Sequence, residues 1–238
     1  MAAVDEYYTA PIELYRGFLE NPHKCLSNVA DYLLAGYSNY TAAEQALGIK
    51  WNSHENGALK QGKALRGQHY SGVMFSISRK MYWDYYKNPK TTEQLLLLLA
   101  YLSLKSMNGN RTYRVGNSQA MFIRMAGYGN RQDYETAGGH AAVGVIGNYM
   151  QTQRMMSYHG RNIRLSVMET FKEFHCYSDR GKRGFFYIFS NRDRAEGLYQ
   201  LAQFAAERTK RYRDNKLKDQ MKAAREKVLK TTDKYRKQ

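Results

Sequence analysis

Residues 95–99 are five consecutive leucines, and Tyr101, Leu102 and Leu104 follow them. Thr91, Thr92 and Glu93 supply helix-opening residues, and Asn108-Gly109 supplies the stop. A helix with apolar side chains on nearly every side has no face to give to water, so this segment must lie at the centre of a core with other elements wrapped around it. The apolar run is about ten residues long, roughly half of what a helix needs to cross a bilayer. With 43% hydrophobic residues in 238, the chain has enough apolar surface to bury a core around that helix. No basic-then-apolar leader opens the sequence, and a cytoplasmic protein without a membrane segment is expected.

The rest of the chain supplies the candidates for that wrapping. Ile12, Leu14, Tyr15, Phe18 and Leu19 have helical spacing, and Asn21-Pro22 marks a stop and restart before a second helix over 23–37. Residues 38–72 read as an irregular connector or a loose helical hairpin, with a helix over 41–47 capped by Thr41. Residues 73–83 carry Met74, Phe75, Ile77, Tyr82 and Trp83 as anchors and fit either a helix or a strand. Beyond the leucine helix come an extended piece over 112–115 and a helix over 119–126, capped by Asn117 or Ser118 and ended by Gly127. A helix over 140–157 persists despite Gly129, Gly138, Gly139, Gly144 and Gly147 nearby. Leu165, Met168 and Phe171, three apart, predict another over 161–174. Two aromatic strands, 174–177 and 185–189, flank a loop containing Gly181 and Gly184, which is a hairpin pattern. One long helix closes the chain from 192.

The net charge is +16 with a pI near 9.7. Residues 1–90 hold 10 basic and 8 acidic side chains, 91–206 hold 14 and 8, and 207–238 hold 13 and 5. The excess therefore belongs to the second half. Clustered Lys and Arg favour polyanionic partners, because binding to phosphates releases condensed counterions.

Helix, short strand, helix, helix and a hairpin with a basic tip, in that order over 91–190, resembles the winged helix-turn-helix of bacterial and plasmid replication initiators and transcription regulators. The fold class expected is mainly α with a small β-hairpin (α+β). The division is a mostly helical region over 1–90, the winged-helix-like domain over 91–190 and a basic C-terminal helix over 191–238. The resemblance implies duplex DNA as partner, with the last helix before the hairpin in the major groove. On the 161–174 helix, Arg161, Asn162, Arg164 and Lys172 are the candidate base and phosphate contacts. Arg180, Lys182 and Arg183 would place cations on the wing tip. Lys210, Arg211 and Arg213 would add salt-sensitive affinity. The span between the second helix and this recognition helix is about 35 residues, longer than compact members use. If the helix over 140–157 is the recognition element instead, Gln151, Gln153 and Arg154 take over. In the tail, Leu217, Met221, Ala224 and Val228 are spaced four, three, four, a narrow seam of the kind that meets a partner helix. A homodimer is one possible assembly.

Enzyme chemistry finds little footing. His23, His54, His69, His140, His159 and His175 form no His-x-His or His-Glu-x-x-His pair, so metal-ligand spacing is absent. The His-hydrophobic-His pair of rolling-circle initiators is missing as well. Gln61-Gly62-Lys63 lacks the flanking glycine and hydroxyl of a phosphate loop. Cys25 and Cys176 read as small hydrophobes rather than a disulfide or metal pair, and no cofactor is expected. Rival readings are a winged helix turned protein-docking scaffold, and an RNA or single-strand binder that stacks bases on some of the 21 tyrosines. Most of those tyrosines lie among apolar residues and suit packing better.

Overall fold

The computed structural model describes residues 7–50, 56–109, 111–159, 162–171, 174–177, 185–189 and 194–236. It is mainly helical with small antiparallel sheets, an α+β protein. The chain opens with β1 (Tyr7–Pro11), a single 3-10 turn (Ile12–Tyr15), α1 (Pro22–Leu34), α2 (Tyr40–Leu47) and α3 (Asn56–Arg66). β2 (Met74–Ser78) then pairs antiparallel with β1, Tyr7 opposite Ser78 and Pro11 opposite Met74, and α4 (Arg79–Lys87) leaves it directly.

Three expectations for this half change. No helix forms over 12–19: Pro11 ends a strand, and Gly17 at φ +73° turns the chain after one 3-10 turn, so apolar residues at helical spacing serve a strand and a turn. The 73–83 segment is neither a helix nor a strand throughout. It is a strand whose last residue, Ser78, caps the next helix by accepting from the Met81 N–H. The cap of α2 is Asn39 rather than Thr41, its side chain accepting from the Ala42 N–H at 2.8 Å.

The leucine helix, α5 (Thr92–Asn108), takes the central place expected of it. Thr91 and Gln94 cap it reciprocally, and all its residues from 95 to 104 except Leu97 are buried. It packs on β2 on one side and, on another, on α6 (Ser118–Met125), which Asn117 caps. Between them runs β3 (Arg114–Gly116); after α6 come α7 (Arg131–Thr136) and α8 (His140–Thr152), which packs on α6.

The prediction of a helix over 161–174 fails. Residues 162–165 form a strand, β5 (Asn162–Leu165), paired with β4 (Met156–His159) in the register His159 to Asn162 and Met156 to Leu165. Ile163 and Leu165 alternate with Asn162 and Arg164, a period of two that outcompetes the three-residue spacing further on. Only one helical turn remains, α9 (Val167–Thr170), after which Phe171 stacks on Tyr101 of α5 at 4.3 Å.

The aromatic hairpin forms as expected: β6 (Phe174–Tyr177) pairs with β7 (Phe185–Phe189), and β3 adds to the far side of β7, giving the order β3-β7-β6. On β7 the neighbouring Tyr187 and Ile188, which point to opposite faces, are both buried. The Tyr187 hydroxyl donates to the Leu104 carbonyl of α5 at 3.0 Å, whereas Ile188 joins Leu201 and Ala205 in a second small core under α10 (Arg194–Arg236). Tyr113 stacks on Phe204 at 5.0 Å beside that core.

A single cluster of buried side chains runs from Tyr8 to Tyr187. Tyr8, Tyr15, Tyr82 and Tyr187 are among its largest members, so these tyrosines pack rather than face solvent. The Tyr8 hydroxyl donates to the Leu47 carbonyl at the end of α2, and that of Tyr70 donates to the Leu65 carbonyl, which also accepts from the Gln68 N–H. Arg16 joins the two halves: its Nε donates to the Gly127 carbonyl at 3.0 Å and its guanidinium lies over the Tyr128 ring. Cys25 is a buried free thiol that donates to the Arg16 carbonyl, in line with its reading as a small hydrophobe.

Candidate nucleic-acid interface

The residues singled out from the sequence fall into three groups. Arg161, Lys172, Arg180, Lys182 and Arg183 lie outside the described residues. Asn162 and Arg164 sit on β5, so they cannot form the recognition-helix face assigned to them. Lys210, Arg211 and Arg213 are exposed on α10, where Arg211 approaches the Glu207 carboxylate one turn earlier at 3.9 Å.

A different set of arginines comes together. Arg111, Arg114 and Arg208, with Thr112, Tyr113 and Val115, line an open groove of about 650 Å³. Among the described residues, no carboxylate lines it. β3 forms one wall as an outer strand of its sheet, and α10 forms the other because its first turns are anchored on the sheet through Leu201 and Ala205. A second concavity on α10 carries Lys210 and Arg213 together with Asp214. Arg208 is 94 residues from Arg114 in sequence, so no local motif announces the groove. The only sequence signal was the excess of basic residues in the second half.

α8 is the helix that precedes the hairpins, and glycines set its start. Gly138 turns the chain at φ +66°, and a side chain on Gly139 would collide with the Tyr128 ring, its Cβ falling 2.6 Å from that ring. Gly138 and Gly139 thus sit in the turn before the helix, whereas Gly144 and Gly147 lie within it. Ile146 and Met150 face the core; Ala141, Gly144, Val145, Asn148, Tyr149 and Thr152 form an exposed stripe on the opposite side. Val145 is 50% and Tyr149 43% exposed. The stripe is uncharged and mostly small, with Gln151 beside it and Gln153 and Arg154 exposed just past its end. Arg154 is held at φ 53°, a backbone region that side-chain-bearing residues rarely adopt.

No protein-family model, curated protein or solved structure matches this chain.

Among the described residues, no group of three or more His, Cys, Asp or Glu is placed to hold a metal ion, and no helix is long and apolar enough to cross a membrane. Beneath the α6–α7 region, Glu13, Arg124 and Asp133 each bury a polar atom. Burial pulls the Arg124 guanidinium below its ordinary pKa, and the charges of Tyr187, Glu13 and Asp133 push it back up. The buried Nη1 of Arg124 has no hydrogen-bond partner among the described residues.

Proposed function

We propose that this protein binds duplex DNA through a winged helix-turn-helix over residues 91–190, with α8 rather than the 161–174 segment as the recognition helix. The observation that carries this reading is the connectivity. Helix α5, strand β3, helix α6, the short α7 and helix α8 precede a hairpin whose second strand, β7, is bracketed by β3 and β6. The β4–β5 hairpin and the single turn of α9 are then an insertion between recognition helix and wing.

The chemistry of the exposed α8 stripe supports the same assignment. Asn148 and Gln151 offer the paired donor and acceptor that read adenine edges, and Ala141, Gly144 and Val145 allow close approach to a groove floor and to thymine methyl groups. Phosphates would be met by flanking cations, as in most duplex binders: Arg154 beyond α8, and the Arg111, Arg114 and Arg208 groove. Replication initiation or transcription regulation, in a bacterial or mobile-element setting, is the role proposed for such a protein.

Fluorescence anisotropy with random duplex at low and moderate salt tests the proposal. Binding at low salt with a steep salt dependence is expected. Replacing Arg111, Arg114 and Arg208 by Ala should reduce the log–log salt slope by about one for each phosphate left unneutralised. Selection from a randomised duplex pool should return a preferred site, and Asn148→Ala should weaken that site by about 1–3 kcal/mol while sparing random duplex. Absence of duplex binding at low salt, or tighter binding of single strands in competition, rejects the proposal.

A further inference from the structure

The half of α10 beyond its anchored turns carries a second pattern, independent of the DNA reading. Every residue from 210 to 229 is exposed. Within that stretch Leu217, Met221, Ala224 and Val228 recur at four, three and four residues, the two core positions of a seven-residue repeat. Leu217 is 58%, Met221 52% and Val228 65% exposed. Large apolar side chains in a row on an exposed helix mark an interaction surface more often than isolated ones do.

Charge along the two edges of this seam is of one sign. The positions on its two shoulders are Arg213, Lys218, Gln220, Arg225 and Lys227, four cations and one glutamine. Asp219 and Glu226, seven residues apart, fall on the side of the helix turned away from the seam. Asp214 closes the seam at its near end. The result is an apolar line with positive shoulders and a back of mixed charge, where Lys216 and Lys222 lie with Asp219 and Glu226.

We infer that the α10 seam docks an amphipathic helix of another protein, one with apolar core positions and Asp or Glu on its own shoulders. A second copy of this chain fits badly. Side by side in parallel, Arg213 would face Lys218 of the other copy, and in the antiparallel arrangement each cationic shoulder would face itself; both cost stability. A nucleic-acid backbone would satisfy the cations but would leave Leu217 and Met221 facing water. An acidic helix satisfies the cations and the apolar row together.

The test uses the full chain and a fluorescein-labelled synthetic peptide of three heptads, Leu at the core positions and Glu on the shoulders, at near-physiological salt. Binding is expected, with no binding of the same peptide carrying Lys on its shoulders. Leu217→Gln with Met221→Gln, both changes between good helix formers, should weaken binding about tenfold or more. Lys218→Glu with Arg225→Glu should reject the Glu peptide and accept the Lys peptide. Circular dichroism of both variants checks that α10 stays helical. Four results would each overturn the inference: no binding of the Glu peptide; equal binding of a Glu peptide whose core positions are Ser; unchanged affinity in the Gln double variant; or sedimentation showing a self-associated chain that the Gln double variant dissociates. None of these readouts involves DNA, so loss of the duplex-binding reading would leave this inference standing, and the reverse.

Discussion

α5 and the far part of α10 are both long, regular helices, yet they are stable for opposite reasons. α5 is enclosed by β2, α6, α9 and the β3-β7-β6 sheet, and its leucines make it nearly uniform around its circumference. From residue 210 to 229, α10 is exposed along its whole length, and its support is local: good helix formers and charge pairs one turn apart, of which Glu207 with Arg211 stands at the near end. Tertiary burial dictates the first helix and residue-by-residue propensity the second. The first therefore serves the fold, while the second is free to serve a partner.

Matched substitutions should separate the two sharply. Leu98→Ala, at a fully buried position, is expected to cost about 2–5 kcal/mol in urea unfolding through reduced burial and a residual cavity. The same change at Leu217 should leave the unfolding midpoint within about 0.5 kcal/mol. A large effect at Leu217 would mean that the α10 seam is already covered in the isolated protein.

A smaller effect tests the link between α5 and the sheet. Tyr187→Phe removes a buried hydroxyl and leaves the Leu104 carbonyl without that donor, so a loss of about 1–2 kcal/mol is expected by the same measurement. Hydrogen exchange should show β7 loosening while the exposed turns of α10 exchange as before.

A further contrast is with pH. Burial raises the Cys25 thiol to about 11, with Lys24 lowering and Glu20 raising it in turn. The unfolded thiol ionises near its ordinary value of about 8.5. Between those values the unfolded chain releases a proton that the folded one keeps, so stability falls as pH rises from about 9 to 11. Cys25→Ala should flatten that part of the stability profile relative to the parent. An unchanged profile would show that the thiol is accessible in the folded state.

What could be read in advance follows the same division. α5, α6 and the β6–β7 hairpin were legible because cap, periodicity and turn residues agree locally: Thr91 with Gln94, Asn117 with Gly127, and two aromatic runs around glycines. β1 was not, because a five-residue strand acquires meaning only from its partner about 70 positions later. The 161–174 segment misled because Leu165, Met168 and Phe171 keep a helical interval across what is a strand, a single turn and an extended residue. At the candidate interface, the alternative of α8 was visible, but the arginine groove was not. Arg111 and Arg114 meet Arg208 only because Leu201 and Ala205 seat α10 against the sheet.

The length of α10 past its seat has a geometric consequence. Residues 206–236 rise roughly 46 Å at about 1.5 Å each. A molecule grasped by the far end would therefore be held at a set standoff from the body of the protein, as on a ruler, and shortening the helix by whole turns would shift that standoff in increments of about 5.4 Å without altering what either end grips.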